Sequence, residues 1–504
     1  LRYAQRNDAS RQVTRMSAHL PVLVVMVPLL AAVVVPLLGR RSPGAAHAVT
    51  LTALGFALAA SGLLLSAVVT GGVWRYELAG WAPPWGIEYV LDPLSAGMMV
   101  LVSFLALATS IYAWSYLSAS DPQRIGIFDS LYLLLVTGLL GIVATGDLFN
   151  LYVFLEISAI AAYALLSTGG ERATVATFRY LLIGTVAASC YLLGVGFLYA
   201  LTGTLNMADL AARLADVGES PAKAAGVSLI VIGLAIKAAL FPFHGWQPDV
   251  YTYAPPPVTG FVAAVMTKVS AYAIFRVLYF TLGGEPAAGS ALVFLGWAGV
   301  IAILAGSWLA LSQTDIRRML AYSSVSQMGY IFFGFSLGSP IALVGALFHV
   351  LNHAVVKGCL FLVVGGVGWR TGVSSVAGFV GMGRRLPLSM LAFAVAAVSL
   401  VGLPPTAGFF SKWYLLLGAF EAEAWIGVGA VVVSTGLSAV YFFRIFERAF
   451  VVADDRLSSA QSNDLPVGML GPALVLAAIV LLLGLFQQPL ITHVLQRALP
   501  VAVS

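Results

Sequence analysis

Charged residues inside apolar segments are the part of this sequence that could do chemistry. Four of the five lysines, Lys237, Lys268, Lys357 and Lys412, lie within long hydrophobic stretches, and Glu156 is the one carboxylate clearly in the middle of such a stretch. A lysine at the centre of a bilayer costs at least about 2.5–3.5 kcal/mol on insertion scales, so it is rarely kept there without a partner or a function. Burial disfavours an ammonium group and a nearby carboxylate favours it, so changing their separation can load or release a proton. These residues predict proton movement through a Glu–Lys pair and a chain of buried amines.

Two histidines share a helical spacing with one of these lysines. His349, His353 and Lys357 are four residues apart, which places them on one face of a helix. Because histidine titrates near neutral pH, this face is suited to a proton relay. Two histidines could also bind zinc, but no Glu or Cys accompanies them and the lysine would repel a cation, so we expect no metal and no other cofactor. His244, just after a proline-containing break, is predicted to extend the path, and the serines at 323, 324 and 326 with Gln327 could order bridging water.

The composition identifies the environment of these residues. The chain has 504 residues, of which 60% are hydrophobic and 9% charged, whereas a soluble domain has about 25% charged residues. Apolar runs of about 20 residues recur along the chain, and each is long enough to cross a bilayer as a helix. The short loops between them leave no room for a soluble catalytic domain. We therefore expect an all-α integral membrane protein, and the net charge of +5 is no sign of nucleic-acid binding.

Hydropathy predicts about fourteen transmembrane helices. The predicted spans are 20–39, 47–70, 92–116, 128–145, 148–167, 174–202, 224–247, 256–280, 289–311, 316–336, 340–368, 387–420, 424–450 and 466–493. With the N-terminus outside, the inner loops carry twelve basic residues and the outer loops four, namely Arg75, Arg213, Lys223 and Arg497, a clear positive-inside bias. The bias favours an external N-terminus, and we expect a multi-pass protein of a bacterial inner membrane. Residues 1–19 read as a leader, and Met16 is a plausible biological start.

Proline interrupts two of the spans. Pro242 falls late in the seventh and the Pro404–Pro405 pair breaks the twelfth, and proline removes a helical hydrogen bond and clashes with the preceding turn. Broken helices at corresponding places in two halves indicate a transporter built from repeats. We therefore predict that helices 1–3 (20–127) precede two five-helix repeats, 128–280 and 289–450, and that 466–504 holds helix 14 and the C-terminus.

Several motifs, in order, cover residues 90–450. They read GDLFNLYVFLE (146–156), FPFHGWQPD (241–249), APPPVTG (254–260), MTK (266–268), LAYSSVSQMGY (320–330), HVLNHAVVK (349–357) and GFFSKW (408–413). Together they resemble the antiporter-like subunits shared by Mrp-type sodium/proton antiporters, respiratory complex I and membrane-bound hydrogenases. Within that family the GDLFNLYVFLE and DVYTYAP forms resemble the D subunit of the Mrp-type antiporter.

The resemblance implies roles for the matching residues. Glu156 and Lys237 would form the intramembrane ion pair, Lys268 would bridge, His353 and Lys357 would form a relay, and Lys412 would lead to the second half-channel. The implied partners are other membrane subunits of a hetero-oligomeric antiporter, the lipid bilayer, protons, and Na⁺ or another monovalent cation.

Two alternatives remain. One is a proton-pumping subunit of a redox complex, whose electron-transfer chemistry lies in other subunits. The other is a self-sufficient carrier. In each case this chain would be a transport protein and would carry no redox centre.

Overall fold

The computed structural model describes residues 19–283, 285–452 and 464–500. The predicted leader and Met16 lie outside the described residues, apart from His19. The one sheet in the described part is a two-stranded antiparallel hairpin, β1 (Trp74–Glu77) and β2 (Glu88–Leu91), which pairs Trp74 with Leu91. The remaining regular structure in these ranges is helical, which confirms the all-α membrane fold.

The helices follow one another with short connections. In chain order they are α1 (Leu20–Gly39), α2 (Pro43–Gly71), α3 (Pro93–Ser120), α4 (Ile125–Ala144), α5 (Leu148–Ser167), α6 (Glu171–Thr202), α7 (Met207–Asp216), α8 (Pro221–Lys237), α9 (Trp246–Tyr253), α10 (Pro256–Thr281), α11 (Pro286–Leu311), α12 (Ile316–Leu337), α13 (Pro340–Thr371), α14 (Pro387–Val401), α15 (Ala407–Glu421), α16 (Trp425–Val451) and α17 (Val467–Leu485). Short helical turns lie at 78–80, 122–124, 243–245, 376–379, 382–385 and 487–498.

Eleven helices in the described ranges are long and apolar enough to span a membrane. The other three predicted spans are α12, which carries Arg317, Arg318 and several serines, and the two spans that proline breaks into α8–α9 and α14–α15. The fourteen predicted spans are therefore all present as helices. Most ends differ by a few residues, as in the predicted 47–70, which is Pro43–Gly71, whereas the last span ends clearly earlier, at Leu485 instead of 493.

Proline and a capping side chain define where several helices begin. Ser42, Asp92, Ser220 and Ser339 each accept a hydrogen bond from a backbone N–H in the first turn, and each is followed directly by proline. The side chain satisfies an N–H that has no partner within the helix, and proline has no N–H to leave unpaired. These pairs start the helices at a defined residue.

The seventh span breaks earlier than we predicted. We expected a helix over 224–247 with Lys237 well inside it, but α8 ends at Lys237 and the chain unwinds before α9 starts at Trp246. Pro242 cannot donate to the carbonyl of Ala238 and restricts the residue before it, so the last turn before the proline is lost. Ala239 takes a left-handed conformation there, with φ of 55°.

Helices α10 and α13 form the centre of the molecule. Every residue in the most apolar 18-residue stretch of α10 is buried. In the corresponding stretch of α13, 94% of the residues are buried, compared with 28% in α1. The helices that carry Lys268, His349, His353 and Lys357 are therefore those most shielded from lipid. The division into repeats 128–280 and 289–450 stays a prediction.

Candidate functional site

Glu156 and Lys237 form an ion pair between α5 and α8. The Lys237 Nζ lies 3.4 Å from Glu156 Oε1, and the lysine side chain is 5% exposed. Lys237 is the last residue of its half-helix, where the unpaired carbonyl ends of the helix favour a cation. The sequence placed Glu156 in the middle of an apolar span, and its side chain in the structure is 30% exposed. The pair can therefore be reached from a neighbouring molecule as well as from within.

Lys268 lies deep in α10, and the residues described around its ammonium offer no carboxylate partner. Its Nζ donates to the carbonyl of Ala263 at 2.5 Å and to Thr267 Oγ1 at 3.4 Å. The turn over Val262–Met266 has the wider π-helical hydrogen bonding, which disturbs the regular pairing of carbonyls and recurs at functional sites. The irregular turn directly before Lys268 thus supplies the acceptor that a buried ammonium needs.

An aromatic cluster fills the space between the ion pair and α10. The Tyr163 ring centre lies 6.0 Å from the Lys237 Nζ, and Tyr163 packs edge-on against Tyr180. Tyr180 stacks on Trp246 at 3.9 Å and donates to the sulfur of Met266. Met266 is two residues before Lys268, so these rings connect the two lysine sites through packed side chains.

The histidines predicted to share one helix face lie together on α13. His349 and His353 stack with ring centres 6.0 Å apart, and both side chains are buried. His349 Nδ1 lies 2.9 Å from Ser411 Oγ, whereas both ring nitrogens of His353 lack a protein partner within the described residues. The Lys268 side chain lies close enough to both rings to interact with them electrostatically. Buried polar atoms without partners are rare, and a free imidazole can accept a proton at one nitrogen and donate one from the other.

Lys357 is bound by α12. Its Nζ donates to the carbonyl of Leu320 at 2.9 Å and to Ser323 Oγ at 2.5 Å. Ser323 was predicted to order water; here it contacts the lysine directly. Gln327, predicted for the same role, is buried, and neither of its amide atoms is paired with a described residue. Lys357 is therefore more firmly held than His353.

Lys412 lies beside the second helix break, between α14 and α15. Its Nζ donates to the carbonyls of Leu400 and Val401, each at 3.0 Å, and contacts Thr435 Oγ1 at 3.4 Å. Leu400 and Val401 are the last residues of α14, and the carbonyls at a helix end have no partner within the helix. The break thus creates a polar pocket for a buried cation, as discontinuous helices do in transporters.

Two residues that we had not predicted connect the histidines to Lys412. Tyr330 stacks on His349 at 5.4 Å, and its ring centre lies 5.0 Å from the Lys412 Nζ. Ser411, next to Lys412, makes the bond to His349. Both residues lie inside the sequence motifs LAYSSVSQMGY and GFFSKW, so their position in those motifs was the signal.

His244 lies apart from the stacked histidines. It packs against Phe241 and Tyr322, with ring centres 5.1 and 6.5 Å away, which places it beside the start of α12. Its predicted role in extending the path stays a prediction.

Charged or titratable groups outside this path also meet in contacts that we had not predicted. His47 Nδ1 lies 2.9 Å from Asp129 between α2 and α4, and Arg276 binds Asp92 at 2.5 Å. Lys223, which we had placed in an outer loop, is 3% exposed and contacts Glu219 and Glu285. Within the ranges described, no three His, Cys, Asp or Glu side chains come together in a way that could hold a metal ion.

The sequence of the chain matches a known family. Residues 145–438 match the protein family described as "NADH:quinone oxidoreductase/Mrp antiporter, TM", and residues 83–125 match "NADH-Ubiquinone oxidoreductase (complex I), chain 5 N-terminus". The first match spans more than half of the chain and contains all the predicted site residues.

Curated relatives fall into two groups. NADH-quinone oxidoreductase subunit N of Desulforudis audaxviator is 52% identical over 96% of this chain and 99% of its own. The D subunit of the Na(+)/H(+) antiporter of Alkalihalophilus pseudofirmus is 32% identical over 86% of this chain and 87% of its own. The chain is thus similar to members of both branches, at different distances.

Solved structures share the fold. A chain of the Mrp complex from Dietzia superposes with a TM-score of 0.86 at 29% identity, covering 96% of this chain and 97% of that one. A chain of the membrane-bound sulfane sulfur reductase, an archaeal respiratory membrane complex, gives 0.88 at 30% identity, with 94% and 96% covered. The chain belongs to the NADH:quinone oxidoreductase/Mrp antiporter family and is a proton-translocating, antiporter-like membrane subunit.

Proposed function

We propose that this chain is a proton-translocating subunit of a redox-driven, complex I-type membrane complex. The observation that carries the proposal is the 52% identity to a quinone oxidoreductase subunit N over 96% of the chain, against 32% to the D subunit of an antiporter. The motifs by themselves favoured the antiporter. Identity along the whole chain supports the alternative better.

In this proposal electron transfer takes place in other subunits, and this chain contributes the proton path. The first step is at the Glu156–Lys237 pair. When the two groups are close, the carboxylate stabilises the charged lysine, and when they separate, the lysine loses this support and releases its proton. The end of α8 at Lys237 provides a point at which the separation can change.

The next groups to carry the proton are Lys268 and the two histidines. Lys268 donates hydrogen bonds only to neutral acceptors. It can therefore be charged or neutral without leaving a buried carboxylate unpaired. Like charges repel, so a proton on Lys268 disfavours a second one on its neighbour His353. At most one of the two groups is therefore charged at a time, and a proton that moves on from Lys268 leaves that lysine neutral and passes to His353 and then to His349.

The last group to carry the proton is Lys412, at the second helix break. His349, Ser411 and Tyr330 link it to the relay, and the carbonyls of α14 hold its charged form. The direction of this path across the membrane depends on the orientation of the chain. We propose the external N-terminus on the distribution of basic residues alone.

The test is to purify the complex through a tag on this chain from native membranes. We expect flavin- and iron-containing subunits to copurify. Everted vesicles should take up protons when an electron donor and quinone are supplied, and vesicles carrying Lys268→Ala should not, although they reduce quinone.

A different result would overturn the redox assignment. If only small membrane subunits copurified, and Na⁺ collapsed a pH gradient in a manner that depended on this chain, the protein would be an antiporter subunit. Cys359→Ala on α13 serves as the matched control, because it alters a buried residue on a central helix without removing a titratable relay group.

A further inference from the structure

Three arginines and Asp249 line one groove beside the start of α6. Asp249 on α9 contacts Arg318 of α12 at 2.9 Å and Arg179 of α6 at 3.4 Å. Arg172, two turns before Arg179, has no ion pair within the described residues, and its guanidinium lies 5.9 Å from the ring centre of Tyr253. Glu171 is the other acidic residue at this place. Three arginines against two carboxylates leave a net positive charge.

The cluster lines an open groove between three helices. A cavity of about 550 Å³ lies among α6, α9 and α12, and its walls include Arg172, Val175, Arg179, Asp249, Tyr253 and Arg318. A second cavity of about 360 Å³ continues on the other side of the Arg179–Asp249 pair. The Arg179 side chain is 68% exposed, so its donors that do not face Asp249 point into open space.

The groove borders an apolar surface. Val175, Phe178 and Leu182 on α6 are 53%, 59% and 52% exposed. Arg172 and Arg179 are seven residues apart, so they lie on one face about 10 Å apart along the helix. Long arginine side chains near a helix end extend toward the headgroup region while their stems lie on apolar surface. The charged groove and the apolar face thus have the arrangement of a membrane interface.

We propose that this groove binds the headgroup of an anionic phospholipid. Arg172 and Arg179 would contact the phosphate, because a guanidinium presents paired N–H donors that match phosphate oxygens. Basic pockets between transmembrane helices bind anionic headgroups in this way. The acyl chains would cover Val175, Phe178 and Leu182. The apolar extension favours a lipid over a free phosphate ion.

The same site would tie the broken helix to its neighbours. Asp249 and Tyr253 belong to α9, the half-helix after the first break, while the two proposed phosphate contacts belong to α6. A bound headgroup would therefore join α6 to α9 beside the Arg179–Asp249 pair. This proposal does not depend on which complex contains the chain.

The test measures lipid retention by the purified full-length chain within its complex. After delipidation, phosphatidylglycerol or phosphatidylcholine is added and bound lipid is counted by native mass spectrometry. We expect at least about tenfold tighter retention of phosphatidylglycerol, and loss of this preference in R172Q/R179Q. The control R384Q/R385Q removes two exposed arginines elsewhere and should keep the preference.

Three results of the lipid-retention experiment would overturn the proposal. They are equal retention of the two lipids by the wild type, an unchanged preference in R172Q/R179Q, and complete displacement of the lipid by inorganic phosphate at equal concentration. Crosslinking of Arg172 and Arg179 to a neighbouring subunit in place of lipid would likewise assign the groove to a protein partner. If the double variant does not fold, R172Q alone provides the comparison, since Arg172 makes no ion pair in the described structure.

Discussion

The Glu156–Lys237 pair allows the most exacting test. At the observed separation of 3.4 Å, Coulomb's law gives about 5 kcal/mol at an effective dielectric constant of about 20, and about 1 kcal/mol in bulk water. Glu156 is partly exposed, so the lower half of this range is more realistic. Glu156→Gln keeps the shape and removes the charge. We expect it to lower donor-driven proton uptake by about tenfold or more, since about 1.4 kcal/mol corresponds to a factor of ten.

A double-mutant cycle tests whether the two residues act together. Uptake is measured in everted vesicles with equal amounts of assembled complex for the wild type, Glu156→Gln, Lys237→Ala and the double variant. We expect a coupling energy of about 0.5–3 kcal/mol, the range typical of directly interacting residues. Glu156→Asp should keep part of the activity, because the charge remains.

The control for the cycle is Glu421→Gln, which removes an exposed carboxylate at the end of α15. It should leave uptake unchanged. Additive effects of the two pair mutations, with both single variants still active, would refute the pair as a functional unit.

Three further variants test the remaining path. Lys268→Ala should lower proton uptake by about a hundredfold, the usual contribution of a proton-transferring side chain, while the assembled complex still forms; wild-type uptake would make the lysine structural. His353→Ala should impair uptake more than Cys359→Ala, because both alter α13 but the histidine alone can pass a proton, and equal losses would point to packing. Lys412→Ala should lower uptake by about tenfold or more and leave quinone reduction measurable; unchanged uptake would place the proton exit elsewhere.

Much of this protein could be predicted from sequence because the relevant signals are local. The length and apolarity of each segment predict a membrane helix wherever the segment packs, and the fourteen spans were found with small errors at their ends. The helical repeat placed His349, His353 and Lys357 on one face, and the structure confirms that arrangement. The buried lysines were conspicuous because a charge in an apolar run is costly.

The tertiary structure decided which groups meet. The acceptors of Lys357 lie 34 and 37 residues away in α12, and the bond between His349 and Ser411 spans 62 residues. No periodicity connects positions so far apart. The early end of α8 and the exposure of Glu156 also depend on how neighbouring helices pack around a break. Sequence thus determined the helices and their titratable residues. The packing of helices that are distant in sequence determined which groups these residues bind, because hydrogen bonds and ion pairs depend on distances in space that local patterns do not encode.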